Sequence, residues 1–353
     1  MAAQGSRAVF DSLLAQTHVQ HALLQPDDRY NEIPFTCRFQ RAFMTFFSME
    51  NGRYAGNTKA LAISHLFIGD APLIYGLFSD IGRPLTLLSD GIELRTAILV
   101  MQSLTLAAVD WMEPMHELLT DSQLAAGPSA EYLSPEEILS RVAYDGRFSG
   151  VMKGGPGFHE VSNVFSDPTA KAAIVEYMQY LDTRDLDLLL QQIAALSVLL
   201  ACATHKPGQP AFDFFLGRLP TCVNSTRVIL ESWVEDEGHK VLLVRGLWLV
   251  LLLAYATQLR PVIDGKLLVS RELAEENRSW ETIYDDLRSQ AAAEGRHRDF
   301  QFLRAVRSLR ELSKAYEPVH GRLYLHAACK LMSQWRGWTG LGISREAMLN
   351  IRL

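Results

Sequence analysis

The sequence predicts an all-α fold, and three observations carry that expectation. Nearly every apolar stretch of the 353-residue chain repeats at the helical spacing of 3.6 residues rather than alternating as a strand would. No Asn-Gly or Asp-Gly pair joins two alternating runs into a hairpin. Helical and extended patterns do not alternate, as they would in a parallel α/β protein. No Gly/Ser or Pro linker divides the chain, and no repeat of fixed period is visible. The expected architecture is therefore a single irregular multi-helix domain over residues 1–353, enclosing an apolar pocket and lacking significant sheet.

In chain order, Val9 to Leu24 reads as a short helix and Arg38 to Met49 as a second, rich in Phe. Pro72 to Phe78 is apolar and ends before Gly82-Arg83-Pro84. A long helical stretch runs from Ile92 to Leu119, with a break expected at Pro114. Ser134-Pro135-Glu136-Glu137 opens the next helix, with Ser as cap, Pro at the first position and acids in the first turn. Lys153-Gly154-Gly155-Pro156-Gly157 is a loop; without a preceding strand or a Gly-Lys-Ser/Thr run it is no phosphate loop. Helices follow at Asp167–Tyr180, Thr183–Thr204, 239–259, Trp280–Ala293, Arg298–Tyr316 and His320–Trp335.

The run from Phe212 to Ser225, FDFFLGRLPTCVNS, holds three aromatic rings, an Asp and an Arg within seven residues. Burying each large apolar side chain gains roughly 1.5–3 kcal/mol. The segment is therefore expected in the core, drawing Arg218 inward. There the guanidinium needs carboxylates, carbonyls or a ligand around it.

The net charge of −6 and the scattered 34 Lys and Arg argue against nucleic acid as a partner. Cys37, Cys202, Cys222 and Cys329 form no CxxC and read as free thiols of a reducing compartment. No apolar leader opens the chain, so the expected location is cytoplasmic. Val241 to Leu259 approaches the length of a membrane span, yet Arg245 interrupts it and Thr257, Gln258 and Arg260 close it. The expectation is a buried core helix and no membrane span.

Taken alone, the residues leave the chemistry open. His18 and His21 share one helix face at i and i+3, but a useful metal site needs three or four ligands. HExxH, GxSxG and a GxGxxG after a strand are all absent. Cys222 follows the aromatic run with nothing nearby in sequence to lower its pKa.

Several segments, in order, resemble motifs of the questin oxidase-like family of fungal secondary metabolism. His18 with His21-Ala22-Leu23-Leu24 resembles its N-terminal NHxxHxL motif. Ile92-Glu93 and the helix ending Ala107-Ala108-Val109-Asp110 resemble the helix after its HPLI motif. Phe212-Asp213-Phe214-Phe215-Leu216 resembles its FDFFL motif, Gln258-Leu259-Arg260-Pro261 the end of its long apolar helix, and Leu303-Arg304-Ala305 the tail of its DxHxxKLxRA helix. The resemblance implies an all-helical oxygenase that opens quinone rings of polyketides. Some members are similar to non-haem iron enzymes, with histidines and a modified lysine as ligands.

The chain departs from that pattern at the ligand positions. Arg83 stands at the His of HPLI, Arg218 at the His after FDFFL, and Arg298 and Gln301 at the His and Lys of the last motif, with His297 one residue away. A guanidinium has five donors and no lone pair, so it holds no metal. The expectation that follows is a pocket without metal or other cofactor. Arg218, Arg83 and Arg298 would act as hydrogen-bond donors to a carbonyl of a hydrophobic polyketide or terpenoid, in a redox-neutral cyclisation, pericyclic closure or isomerisation. Phe212, Phe215, Tyr75, Asn224, His18 and His21 would contact the substrate. The alternatives are an NADPH- and O2-dependent Baeyer–Villiger-like oxygenase, and a binder of a pathway intermediate without catalysis. Internal salt bridges of these arginines with Asp213, Glu93 or Asp80 would be the purely structural explanation.

Overall fold

The computed structural model describes residues 33–68, 72–110, 112–120, 131–268, 278–290 and 299–340. Its helices are, in order, α1 (Ile33–Arg53), α2 (Thr58–Phe67), α3 (Ser79–Glu93), α4 (Ala97–Val109), α5 (Glu113–Thr120), α6 (Pro135–Tyr144), α7 (Val161–Ser166), α8 (Pro168–Gln179), α9 (Leu186–Cys202), α10 (Leu219–Ser232), α11 (Glu237–Thr257), α12 (Trp280–Gln290), α13 (Phe300–His320) and α14 (Leu323–Gln334). The strands among the described residues are β1 (Phe212–Asp213) and β2 (Trp338–Thr339), paired in parallel. The fold is all-α, as the periodicity predicts. The helix expected over Val9 to Leu24 lies outside the described residues.

The chain divides into two compact units, residues 1–122 with 225–247 and residues 123–224 with 248–353. In the first unit α4 is apolar on all sides and almost wholly buried, so it serves as that unit's central helix. A 3-10 turn, Leu73–Phe78, lies directly against it. A Cβ at Gly76 would meet the Ala107 carbonyl oxygen at 1.9 Å, so only glycine permits this approach. The long stretch from Ile92 to Leu119 breaks twice, once just ahead of Pro114 as expected and once earlier. The first follows Glu93, where Arg95 takes a φ of +51°. The second falls between Val109 and Glu113. Pro114 sits in the first turn of α5, where a missing N–H costs no hydrogen bond.

In the second unit the expected start of α6 is built as a full capping box. The Ser134 hydroxyl accepts from Glu137 N at 3.3 Å, and the Glu137 carboxylate accepts from Ser134 N at 2.9 Å. Asp167, Asp185 and Asp299 cap α8, α9 and α13 more simply, each side chain accepting from backbone N–H groups of the first turn. Helices α13 and α14 turn back on each other at Gly321, whose φ is +58°. Cys202, Cys222 and Cys329 are buried.

Helix α11 is long and apolar enough to cross a membrane by length and composition, but 83% of its apolar window is buried in protein. Leu247 to Ala256 are inaccessible or nearly so. A helix hydrophobic all round belongs in a core as readily as in a bilayer.

Candidate functional site

In the first unit, the segment before Pro84 does something few sequences do. Asp80, Ile81 and Gly82 take consecutive left-handed conformations, with φ of 44°, 51° and 63°. Glycine adopts this region freely, but a β-branched residue does so only under constraint. Strain of this kind costs roughly 1–3 kcal/mol per residue. Two features hold the turn. The Ile81 side chain is completely buried. On the far side of the turn, the Ser103 hydroxyl of α4 donates to the Pro84 carbonyl at 2.7 Å, in the interior. Regular helix resumes after Gly82, which puts Pro84 in its first turn, where proline is tolerated.

This turn presents Arg83. Its side chain is 56% exposed and lies 3.8 Å from an Asp80 carboxylate oxygen, beyond hydrogen-bond range. Among the described residues its guanidinium makes no hydrogen bond, so its five donors are open to a ligand. Asp110 follows the last residue of α4. Ser103, Ala107 and Asp110 are spaced i, i+4, i+7 and share the helix face turned to the 3-10 turn and to Pro84. Burial pushes the half-buried Asp110 carboxyl up to about 7; the Asp80 charge adds to this and Arg83 opposes it. A carboxyl titrating there exchanges a proton at neutral pH as either acid or base. Tyr75, on the 3-10 turn, stacks obliquely on His116 of α5 with ring centroids 4.5 Å apart, and burial raises its phenol.

In the second unit, the Phe212–Leu216 motif is a knot. One Asp213 oxygen accepts from Phe215 N at 2.8 Å and Leu216 N at 2.9 Å. The other accepts from the Gln258 amide at 2.6 Å, once that amide is oriented to satisfy its neighbours. Gln258 then also donates to Gly340 O and accepts from Gly157 N. Burial pushes the Asp213 carboxyl up to about 6, against the pull of its two backbone donors. Phe214 N donates to Thr339 O at 2.8 Å, and the Thr339 hydroxyl donates to Phe212 O at 3.1 Å. The Trp338 indole donates to the Asp299 carboxylate and covers Gly217, where a Cβ would meet its ring at 2.5 Å. At Gly340 a Cβ would lie 1.7 Å from Asp213 and the φ is +81°, so only glycine closes the knot.

The structure distributes the predicted residues. Phe212 is in the core, as expected, while Phe215 is only half-buried. Arg218 is half-buried, 5.9 Å over the Phe214 ring, with no carboxylate partner among the described residues. The predicted salt bridge to Asp213 does not form, because that carboxylate is bound to backbone and amide donors. Asn224 is buried on α10. Arg83 and Arg218 belong to different units. Arg298, His297, His18 and His21 lie outside the described residues.

Asp110 was not singled out by sequence reasoning, although a carboxylate ending an all-apolar helix (Ala107-Ala108-Val109-Asp110) is a readable signal. Among the described residues no group of three or more His, Cys, Asp or Glu side chains is placed to hold a metal. By the resemblance, Arg83 and Arg218 stand at ligand positions of the family, and a guanidinium, which has no lone pair to give, does not bind a metal. A family model described as questin oxidase-like matches residues 12–309. No curated protein matches the chain.

Proposed function

The chain belongs to the questin oxidase-like family, and from that premise we propose that it is an enzyme of the fungal secondary-metabolic type. Its reaction is a redox-neutral cyclisation or isomerisation of a hydrophobic, carbonyl-bearing polyketide or terpenoid. One observation carries this reading: an Arg with uncommitted donors is fixed on a strained turn beside a carboxyl that titrates near neutrality.

Arg83 donates hydrogen bonds to the substrate carbonyl oxygen, where negative charge develops. Asp110, in its ionised form, takes the proton from the adjacent carbon. The C–H electron pair moves into the new C=C bond and the carbonyl π pair onto oxygen, giving an enolate held by Arg83. Return of the proton at a different carbon completes an isomerisation; attack by the enolate carbon on a second carbonyl carbon of the same molecule forms the ring as that carbonyl's π pair moves onto its oxygen, which takes the proton back from Asp110. Atoms and electrons balance without oxidant or reductant. A pericyclic closure uses only the first half, polarisation of a conjugated carbonyl by Arg83. Tyr75 is a further neutral donor in this unit.

The test uses enolisable polyketide ketones in D2O, followed by NMR and exact-mass spectrometry under air and under strict anaerobiosis. The expected result is deuterium incorporation at the carbon next to the carbonyl, lost in Asp110→Asn, and products isomeric with substrate without oxygen. Oxygen consumption with NADPH, and products heavier by oxygen, would replace this reading with the oxygenase one. Binding with neither exchange nor product would leave a carrier of a pathway intermediate.

A further inference from the structure

Arg218 stands out in the second unit because, among the described residues, it is provided with rings and no anion. The nearest carboxylate in sequence, Asp213, is occupied by Phe215 N, Leu216 N and Gln258. Asp299, the other acid of the knot, is occupied by Trp338 and by Phe302 N at the start of α13. What does surround the guanidinium is aromatic. It sits over Phe214; Phe214 meets Phe215 edge-on at 5.3 Å; and Phe215 stacks with Phe158 at 6.1 Å. Phe214 also meets the edge of Trp338 at 6.1 Å. Phe214, Phe215 and Arg218 are all only half-buried, so each keeps some surface open to solvent.

A half-buried guanidinium without a counter-ion among the described residues, in a chain of net charge −6, is an arrangement that a ligand would complete. We propose that Arg218 and the rings of Phe214 and Phe215 form an anchoring site for a flat apolar molecule that carries a carboxylate, the aryl or polyenyl acid lying on the rings with its anionic end on Arg218. The site goes beyond the reaction assigned to Arg83 and Asp110, since it requires binding alone. Three features fit it to this ligand class. A carboxylate takes two parallel N–H donors from one guanidinium, which a lone carbonyl does not. Aromatic faces and edges accept a flat π-system at low entropic cost, because both rings are already held by the knot. The knot itself keeps the five-residue spacing of Asp213 and Arg218 rigid through Gly340 and Trp338.

The experiment compares 2-naphthoate with 2-naphthamide, equal in shape and different in charge, on the full chain by calorimetry. The expected result is a preference for the carboxylate of about tenfold or more. Arg218→Gln removes that preference and Arg218→Lys retains part of it. In the wild-type chain, naphthoate slows the modification of Arg218 by phenylglyoxal, read by mass spectrometry of the peptide, and naphthamide does not. This second readout holds even where Arg218→Gln fails to fold. Equal affinity for the two probes, no binding of either, a preference that survives in folded Arg218→Gln, or unprotected Arg218 would each overturn the proposal. None of these readouts involves turnover, so they fail or succeed separately from the reading of Arg83 and Asp110.

Discussion

The turn at Asp80–Pro84 and the knot at Phe212–Arg218 place the same two residue types, an aspartate followed within a few residues by an arginine, where the family resemblance puts a histidine. They use them in opposite ways. In the knot the aspartate is committed to backbone and amide donors, and the glycines at 217 and 340 admit a neighbour too close for any Cβ. In the turn, Asp80 is 46% exposed and forms no hydrogen bond among the described residues, while the backbone is left-handed for three residues. A carboxylate consumed by the fold marks scaffold; a strained turn with open polar groups marks a place where binding energy is exerted.

The largest effect expected from this contrast is at Asp110. Asp110→Asn should lower kcat about 10²–10⁴-fold, the range of a lost general acid or base. The melting temperature should stay level or rise, because a charge held against burial is removed. A variant that loses stability and keeps turnover would turn the site into scaffold. Next comes Arg83→Gln, with kcat down about 10²–10³-fold, as for loss of a preorganised donor. Its stability should change by no more than about 0.5 kcal/mol, because the side chain is exposed and only loosely paired.

The knot predicts the reverse pattern. Gly340→Ala forces a Cβ into Asp213 and should cost about 2–3 kcal/mol in urea unfolding. A loss below about 0.5 kcal/mol would show that the strand pairing is not rigid. The smallest effect is a shift in pH dependence. If Asp110 acts as base, kcat/KM rises through pH of about 7 and levels off above it. Arg83 favours the ionised form, so Arg83→Gln moves this limb to higher pH; Asp80 disfavours it, so Asp80→Asn moves the limb lower. A limb unmoved by both would remove Asp110 from the reaction.

Much of the fold was legible because helix signals are local. Ser134 with Glu137, Asp167 before Pro168, and the apolar run of α11 each state their structure in a few residues. The earlier break shows the limit. Pro114 announces the break just ahead of it, while the break after Glu93 depends on Arg95 entering the left-handed region. The site was legible only in part. Arg83 and Arg218 were visible as substitutions, but the partner of each was not. Asp110 acquires its character first from burial and then from Asp80 and Arg83, about 30 residues away, and Asp213 is withdrawn from Arg218 by backbone donors and Gln258. Neither relation has a sequence period. The left-handed run at 80–82 is equally silent, since Ile81 is the last residue type a turn rule would choose.

Trp338 gives the molecule a built-in optical probe. Its indole lies against Phe214, 5.7 Å from the ring of Trp335, with its N–H on the Asp299 carboxylate. Emission from such an indole responds to the polarity and quenchers beside it, so the difference in near-ultraviolet-excited emission between the wild-type chain, which has six Trp, and Trp338→Phe would report events beside Phe214 and separate loosening of β2 from unfolding elsewhere.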